Sequence, residues 1–227
     1  MPAGTAKLSR TSPLEERAPE VISILKEEYP EATVALKFST PLECLIAVML
    51  SAQSTDKKVN EVTEPLFVKY RTAEDWLRVP EAQLREELKP TGFFNQKTKA
   101  VREACRMIVE EFDGKVPDSI ADLIRLPGVA RKTANIVLGN SYPEKLETDP
   151  DRGVAVDTHV KRVSQRLGFT QNKDPDKIER DLMEILPKEE WFTFTYVLIE
   201  HGRAICKAPT PKCEICPVSH LCPSSLV

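Results

Sequence analysis

Apolar residues recur at helical spacing along almost the whole chain, and no segment shows the strict alternation of a half-buried strand. From Gln96 to Phe112 the apolar positions Val101, Ala104, Cys105, Ile108 and Phe112 fall on one face, and Gly114 closes the run. Leu42 to Leu50 is apolar nearly all round, which predicts a central helix. Ahead of it, Thr40-Pro41-Leu42-Glu43 is a capping box with proline at the first helical position, and Thr72 to Asp75 repeats the start signal for a shorter helix. Ser119 to Ile124 reads as a short helix, and a second begins directly after Lys132, on the apolar run Thr133 to Leu138. Further helices are expected at Thr158 to Leu167, Asp176 to Leu186 and Lys188 to Ala204. Between Asn140 and Gly153 the pattern breaks into polar, irregular sequence with Pro143, Pro150 and Gly153, which marks a lobe boundary. The expected fold class is all-α.

Between two of these helices lies Leu126-Pro127-Gly128-Val129-Ala130-Arg131-Lys132. Gly128 can take the positive φ of a tight turn, and free backbone N–H groups at the following helix start bind an anion such as a DNA phosphate without reading bases. A primary amine, Lys132, stands beside that nest. An amine of this kind attacks a carbon centre only in its neutral form.

Composition narrows the classes. The 227 residues are 41% hydrophobic and 30% charged, enough for a real core in one large or two small domains. No apolar run reaches the roughly 18 to 20 residues of a membrane span, and Met1 to Thr11 lacks the apolar core of a signal peptide. A soluble cytosolic protein with no membrane partner is expected. The net charge of −3 argues mildly against nucleic acid. Its distribution argues the other way: Lys97, Lys99, Arg102 and Arg106 share one segment, and Arg125, Arg131, Lys132, Lys161, Arg162 and Arg166 gather around the motif. One basic face on an acidic body is expected, with scattered solvated charge as the plain alternative.

Cys206, Cys213, Cys216 and Cys222 are separated by six, two and five residues. Four clustered thiols in a cytosolic chain favour metal ligation over two disulfides, and spacing alone does not separate zinc from an iron–sulfur cluster. The loop between the first two carries Lys207 and Lys212 and no acid, which suits a phosphate. Cys44 and Cys105 sit in apolar helical contexts as core thiols.

Taken with Val-Asp-Thr-His at 156–159, the hairpin and the cysteine spacing resemble the endonuclease III family of helix-hairpin-helix DNA glycosylases, from about Val21 to Cys222. The resemblance implies a two-lobed, all-α helix-hairpin-helix DNA glycosylase fold. A helical barrel covers 33–149, and 1–32 with 150–227 form a second domain around a redox-quiet [4Fe-4S] cluster on the four cysteines. It implies base excision repair: removal of oxidised pyrimidines, then β-elimination at the abasic site through a lysine Schiff base. Lys132 matches the nucleophile and Asp157 its carboxylate partner. Gln53 matches the residue that fills the gap left by an extruded base, and Phe93 stands where the family commonly has leucine in a second inserting loop. Gly128, Ala130 and Arg131 match the phosphate-contacting hairpin, Ala130 replacing a glycine whose loss is expected to restrict the backbone. The implied partner is double-stranded DNA with oxidised pyrimidines or abasic sites, met by a monomer in a bacterial cytoplasm at the nucleoid. His159 and His201 are expected to be hydrogen-bonded structural residues. Two rivals remain: an adenine-mismatch glycosylase, which lacks the lysine and usually carries a further C-terminal domain, and a non-catalytic DNA-binding module with a structural metal.

Overall fold

The computed structural model of the chain describes residues 8–227, so the first seven residues of the stretch read above for a leader lie outside the described residues. Among the described residues there are twelve α-helices and no strand: α1 Leu14–Glu28, α2 Pro41–Ser51, α3 Asp56–Lys69, α4 Ala73–Arg78, α5 Glu81–Leu88, α6 Phe94–Glu111, α7 Ile120–Leu123, α8 Arg131–Ser141, α9 Pro143–Leu146, α10 Thr158–Arg166, α11 Pro175–Ile185 and α12 Trp191–Ala204. Short 3₁₀ turns cover Lys89–Thr91, Lys188–Glu190 and Cys213–Ile215. None of the described helices is long and apolar enough to cross a membrane.

Two compact units result. One is Ala35–Arg152, with α2 to α9; the other joins the described residues up to Val34 to Gly153–Val227, with α1 and α10 to α12.

In the first unit α2 is the central element, because every residue from Cys44 to Leu50 is buried. Thr40 starts it by accepting the Glu43 N–H at 3.2 Å, while the Glu43 carboxylate takes the Ser39 N–H at 2.6 Å, one residue earlier than a closed capping box. Thr72 and Asp75 do close theirs. α6 lays Val101, Ala104, Cys105 and Ile108 into the core, and α4 packs along it. The polar stretch 140–153 is more ordered than its sequence suggests: α8 runs on to Ser141, α9 follows, and Asp149 is buried. Its carboxylate accepts the Ile120 N–H at 2.9 Å and the Asp151 N–H at 2.8 Å, so this acid fixes the start of α7.

The second unit packs α12 against α10 and α1 around Val21, Leu25, Val160, Phe194 and Leu198. Arg17, buried within α1, donates to the Leu167 carbonyl at 2.6 Å and so anchors the end of α10. The expected helix from Lys188 begins instead as a 3₁₀ turn, and α12 proper starts at Trp191.

Candidate functional site

The hairpin lies in the first unit. Ser119 caps α7, Leu126 and Val129 are buried, and the Val129 N–H closes the turn on the Leu126 carbonyl at 3.0 Å. Gly128 has φ +81°, and a Cβ there would stand 2.8 Å from the Ala100 Cβ, so both conformation and packing demand glycine. Ala130 is different. It is the N-cap of α8 at φ −87°, ψ 166°, an extended geometry open to any residue, so the expected restriction from the lost glycine is corrected. Its methyl offers no side-chain cap to α8. Lys132 is exposed in the first turn of α8, behind a half-buried Arg131.

Asp157 lies in the second unit, as the N-cap of α10. Its Oδ1 accepts the N–H groups of His159 at 2.8 Å and Val160 at 2.7 Å, and its Oδ2 is 3.2 Å from His159 Nδ1. The side chain is 16% exposed, and three contacts fix its direction.

Gln53 and Phe93 both stand in the first unit with left-handed backbones, φ 51° and 47°, and both are exposed, Phe93 at 57%. Phe94 is half-buried, with the Lys89 ammonium 6.0 Å from its ring centre. Gln53, Phe93 and Gly128 border one recess of about 650 Å³ whose floor includes Met49, Lys97 and Ala100.

The expected basic face is smaller than the sequence suggests. Lys97 is buried, its ammonium donating to the carbonyls of Leu50 at 2.8 Å and Thr91 at 2.7 Å. Arg102 donates to the carbonyls of Val79 at 2.8 Å and of Trp76 and Leu77 at 3.3 Å. Arg162 holds the carbonyls of Cys206 and Gly202, at 3.1 and 3.0 Å. Arg125 pairs with Glu111 and Asp122. Lys97, Arg102 and Arg162 hold the fold together, while Arg125 is taken up by surface ion pairs. A register argument finds the first of them, since Lys97 precedes Val101, Ala104 and Ile108 by four, seven and eleven residues and so shares their inward face.

Cys206, Cys213, Cys216 and Cys222 all line one recess of about 360 Å³ in the second unit. Arg166 holds the loop at its rim, donating to the carbonyls of Lys207 at 2.7 Å and Pro209 at 3.0 Å and lying 3.5 Å from the Cys206 sulfur. Lys207 and Lys212 are exposed on that loop. Burial, then neighbouring thiols, raises the Cys216 thiol to about 11 and pushes Cys222 up as well. His201 is held neutral by burial, its pKa lowered to about 4, with Nδ1 3.2 Å from the Tyr29 hydroxyl and Nε2 3.8 Å from the Cys216 sulfur. Cys44 and Cys105 are fully buried elsewhere, as expected of core thiols.

Residues 46–188 match the HhH-GPD superfamily of base excision DNA repair proteins. Endonuclease III of Synechocystis sp. is 47% identical over 96% of this chain and 97% of its own length. The chain belongs to the endonuclease III family. Other endonuclease III relatives are the Bacillus subtilis protein, 43% identical over 86% of both chains, and that of Escherichia coli, 37% identical over 89% of this chain and 93% of its own. A solved structure of a non-covalent endonuclease III–DNA complex superposes with a TM-score of 0.87 at 39% identity, covering 93% of this chain and 96% of that one. A trapped endonuclease III–DNA covalent intermediate matches equally well. Membership of the endonuclease III family makes this chain a base excision repair DNA glycosylase with lyase activity.

Proposed function

We propose that Lys132 is the nucleophile, Asp157 the carboxylate that serves it, and oxidised pyrimidines in double-stranded DNA the lesions removed. The observation that carries this reading is an exposed amine in the first turn of a helix whose N-cap is an alanine with no capping side chain, directly behind a hairpin turn that only glycine can make. Such a terminus attracts a phosphate and holds the amine beside the deoxyribose attached to it.

The chemistry balances on these two side chains. The Lys132 Nζ lone pair bonds to C1′ as the C1′–N bond to the base breaks, and the base leaves with that electron pair and with the proton that Asp157 relays from the amine. Asp157 takes the proton that the amine sheds, and its negative charge stabilises the positive charge growing at the sugar carbon. Ring opening then gives the iminium, and loss of a C2′ proton expels the 3′-phosphate. Gln53 and Phe93 are the residues to fill the stack where the damaged nucleotide has left. Arg131, Gly128 and Ala130 at the hairpin, and Lys207 and Lys212 on the cysteine loop, are the phosphate contacts. The protein acts as a monomer in the cytoplasm, at the nucleoid.

The four cysteines fit an iron–sulfur cluster. Four soft thiolate donors line one recess, the donor set that such a cluster takes. Bound there, a [4Fe-4S] cluster supplies a cross-link between the end of α12 and the C-terminal turns, and no reacting group.

Borohydride reduction during incubation with abasic-site DNA tests the assignment of Lys132. The wild type is expected to yield a covalent protein–DNA conjugate and Lys132→Gln none. A conjugate that persists undiminished in Lys132→Gln would remove the lysine from its role, and a panel of oxidised pyrimidines in the same assay reports the lesion range.

A further inference from the structure

Two residues proposed to enter the duplex, Gln53 and Phe93, sit on separate segments and both have a left-handed backbone. For residues with a Cβ that conformation costs about 1–2 kcal/mol each and persists only where the surroundings enforce it. Something in the first unit must therefore hold both segments.

One side chain touches both. Leu50 lies three residues before Gln53 near the end of α2, and Thr91 lies two residues before Phe93 at the end of the 3₁₀ turn Lys89–Thr91. The Lys97 ammonium, on a side chain only 7% exposed, donates to Leu50 O at 2.8 Å and Thr91 O at 2.7 Å. Both acceptors are carbonyls at helix ends, where partial negative charge gathers, so one cation caps two C-termini. Among the described residues no carboxylate pairs with it, and burial lowers its pKa. Burying an ammonium without a counter-ion is an expensive way to gain stability alone, since an apolar side chain of the same length fills the space without that desolvation. What the apolar side chain lacks is the two fixed bonds.

The same stretch of α6 orders its neighbours in sequence. Phe93 is its N-cap, Lys97 follows one turn later, and Ala100 after that meets the Gly128 turn. Thr91 is secured in turn by its hydroxyl, which donates to Leu88 O at 2.8 Å.

We propose that Lys97 is a positioning residue that locks the Gln53 and Phe93 segments into one preformed wedge for the stacked duplex. The inference rests on the reading of Gln53 and Phe93 as the inserting residues. It predicts a selective defect: a single-stranded abasic oligonucleotide offers no base stack to enter, so its cleavage does not need the wedge, whereas cleavage of the same site in a duplex does.

The test compares strand cleavage of an abasic site in single-stranded and duplex oligonucleotides for the wild type, Lys97→Met, Lys97→Gln and the pair Gln53→Ala and Phe93→Ala. Lys97→Met is expected to lower duplex kcat/KM at least tenfold while changing single-strand kcat/KM less than twofold. Lys97→Gln keeps a donor for one carbonyl and should fall between. A 2-aminopurine placed opposite the abasic site should brighten on wild-type binding and brighten less with Lys97→Met. Equal losses on both substrates would show a merely structural lysine and overturn the proposal, as would no loss on either. If Gln53→Ala and Phe93→Ala leave the duplex to single-strand ratio unchanged, the wedge reading itself fails. If they shift it and Lys97→Met does not, only the role of Lys97 fails. Should Lys97→Met not fold, the Lys97→Gln ratio decides by the same criterion.

Discussion

The carboxylate of Asp157 and the ring of His159, two residues apart at the head of α10, face each other with Oδ2 3.2 Å from Nδ1, while Oδ1 is held by two backbone amides. One oxygen builds the helix and the other is left beside an imidazole. The two duties separate by mutation. Asparagine retains a carbonyl oxygen able to cap, so Asp157→Asn should cost under about 0.5 kcal/mol of stability, whereas Asp157→Ala should cost about 1 kcal/mol. Both should lower glycosylase kcat by on the order of 10²- to 10⁴-fold, the span of a general acid–base group. Affinity for uncleaved lesion DNA should hold or improve in Asp157→Asn. Thermal melts beside single-turnover kinetics measure this, and weakened DNA binding in the asparagine variant would assign Asp157 to structure alone.

Gly128 and Ala130 make opposite predictions although the family pattern suggests glycine at both. Gly128→Ala meets a left-handed backbone and a contact 2.8 Å from Ala100. The conformational cost alone is about 1–2 kcal/mol, which lowers the melting temperature by roughly 2–8 °C in a chain of this size. DNA affinity should fall with it. Ala130→Gly should do nearly nothing: glycine caps helices better than alanine but adds freedom to the unfolded chain, and each effect is below about 1 kcal/mol. A gain in DNA affinity above threefold in Ala130→Gly would mean that the methyl does obstruct the phosphate.

Arg102 tests which cations belong to the fold. With its guanidinium spent on three carbonyls, Arg102→Ala should cost about 2 kcal/mol. The slope of log affinity against log salt for duplex binding should stay unchanged, because a residue that touches no phosphate releases no counter-ion. Lys99→Ala, at an exposed position 3.8 Å from Glu103, should change stability by under about 0.5 kcal/mol. Titrations at several salt concentrations decide it, and a slope reduced by about 1 in Arg102→Ala would return that residue to the DNA-binding face.

Helix positions were legible because apolar spacing and capping residues are local: Thr72 with Asp75, Ser119 and the stripe from Val101 to Ile108 each announce themselves within a few residues. The hairpin was legible because Gly128 and Pro127 carry their own backbone preferences. Charge was read poorly for a physical reason. Lys97, Arg102, Arg162 and Arg166 bond to carbonyls 6 to 47 residues away in the chain, and no residue-type pattern marks a carbonyl that lacks a partner. Asp149 was hidden likewise, since its amide partner Ile120 lies 29 residues upstream. The sequence at Ala130 shows only that a methyl replaces the family's glycine, not that the chain there is extended and open to either residue.

The cysteine recess makes the prediction that reaches furthest beyond the backbone. A single zinc bonded to four thiolates at about 2.3 Å needs sulfurs roughly 3.8 Å apart. All four cysteines border one recess, and a polynuclear core takes each thiolate on a different iron, wider apart than one zinc would hold them. Anaerobically purified protein should be yellow-brown and carry about four irons and four acid-labile sulfides per chain, by metal analysis. A colourless protein with one zinc would contradict that. Removal of the metal should also act unevenly. The Cys206–Pro209 half of the loop is held independently by Arg166, whose guanidinium bonds the Lys207 and Pro209 carbonyls, whereas Lys212 is tied back by one amide bond to the Ile205 carbonyl and Cys213, Cys216 and Cys222 sit on short turns joined chiefly by local hydrogen bonds. Chelation should therefore open trypsin cleavage at Lys212 well before cleavage at Lys207, and Arg166→Ala should erase the difference. Mass mapping of the first fragments reads the order directly, and simultaneous cleavage at both lysines in the wild type would show that the metal alone organises the loop.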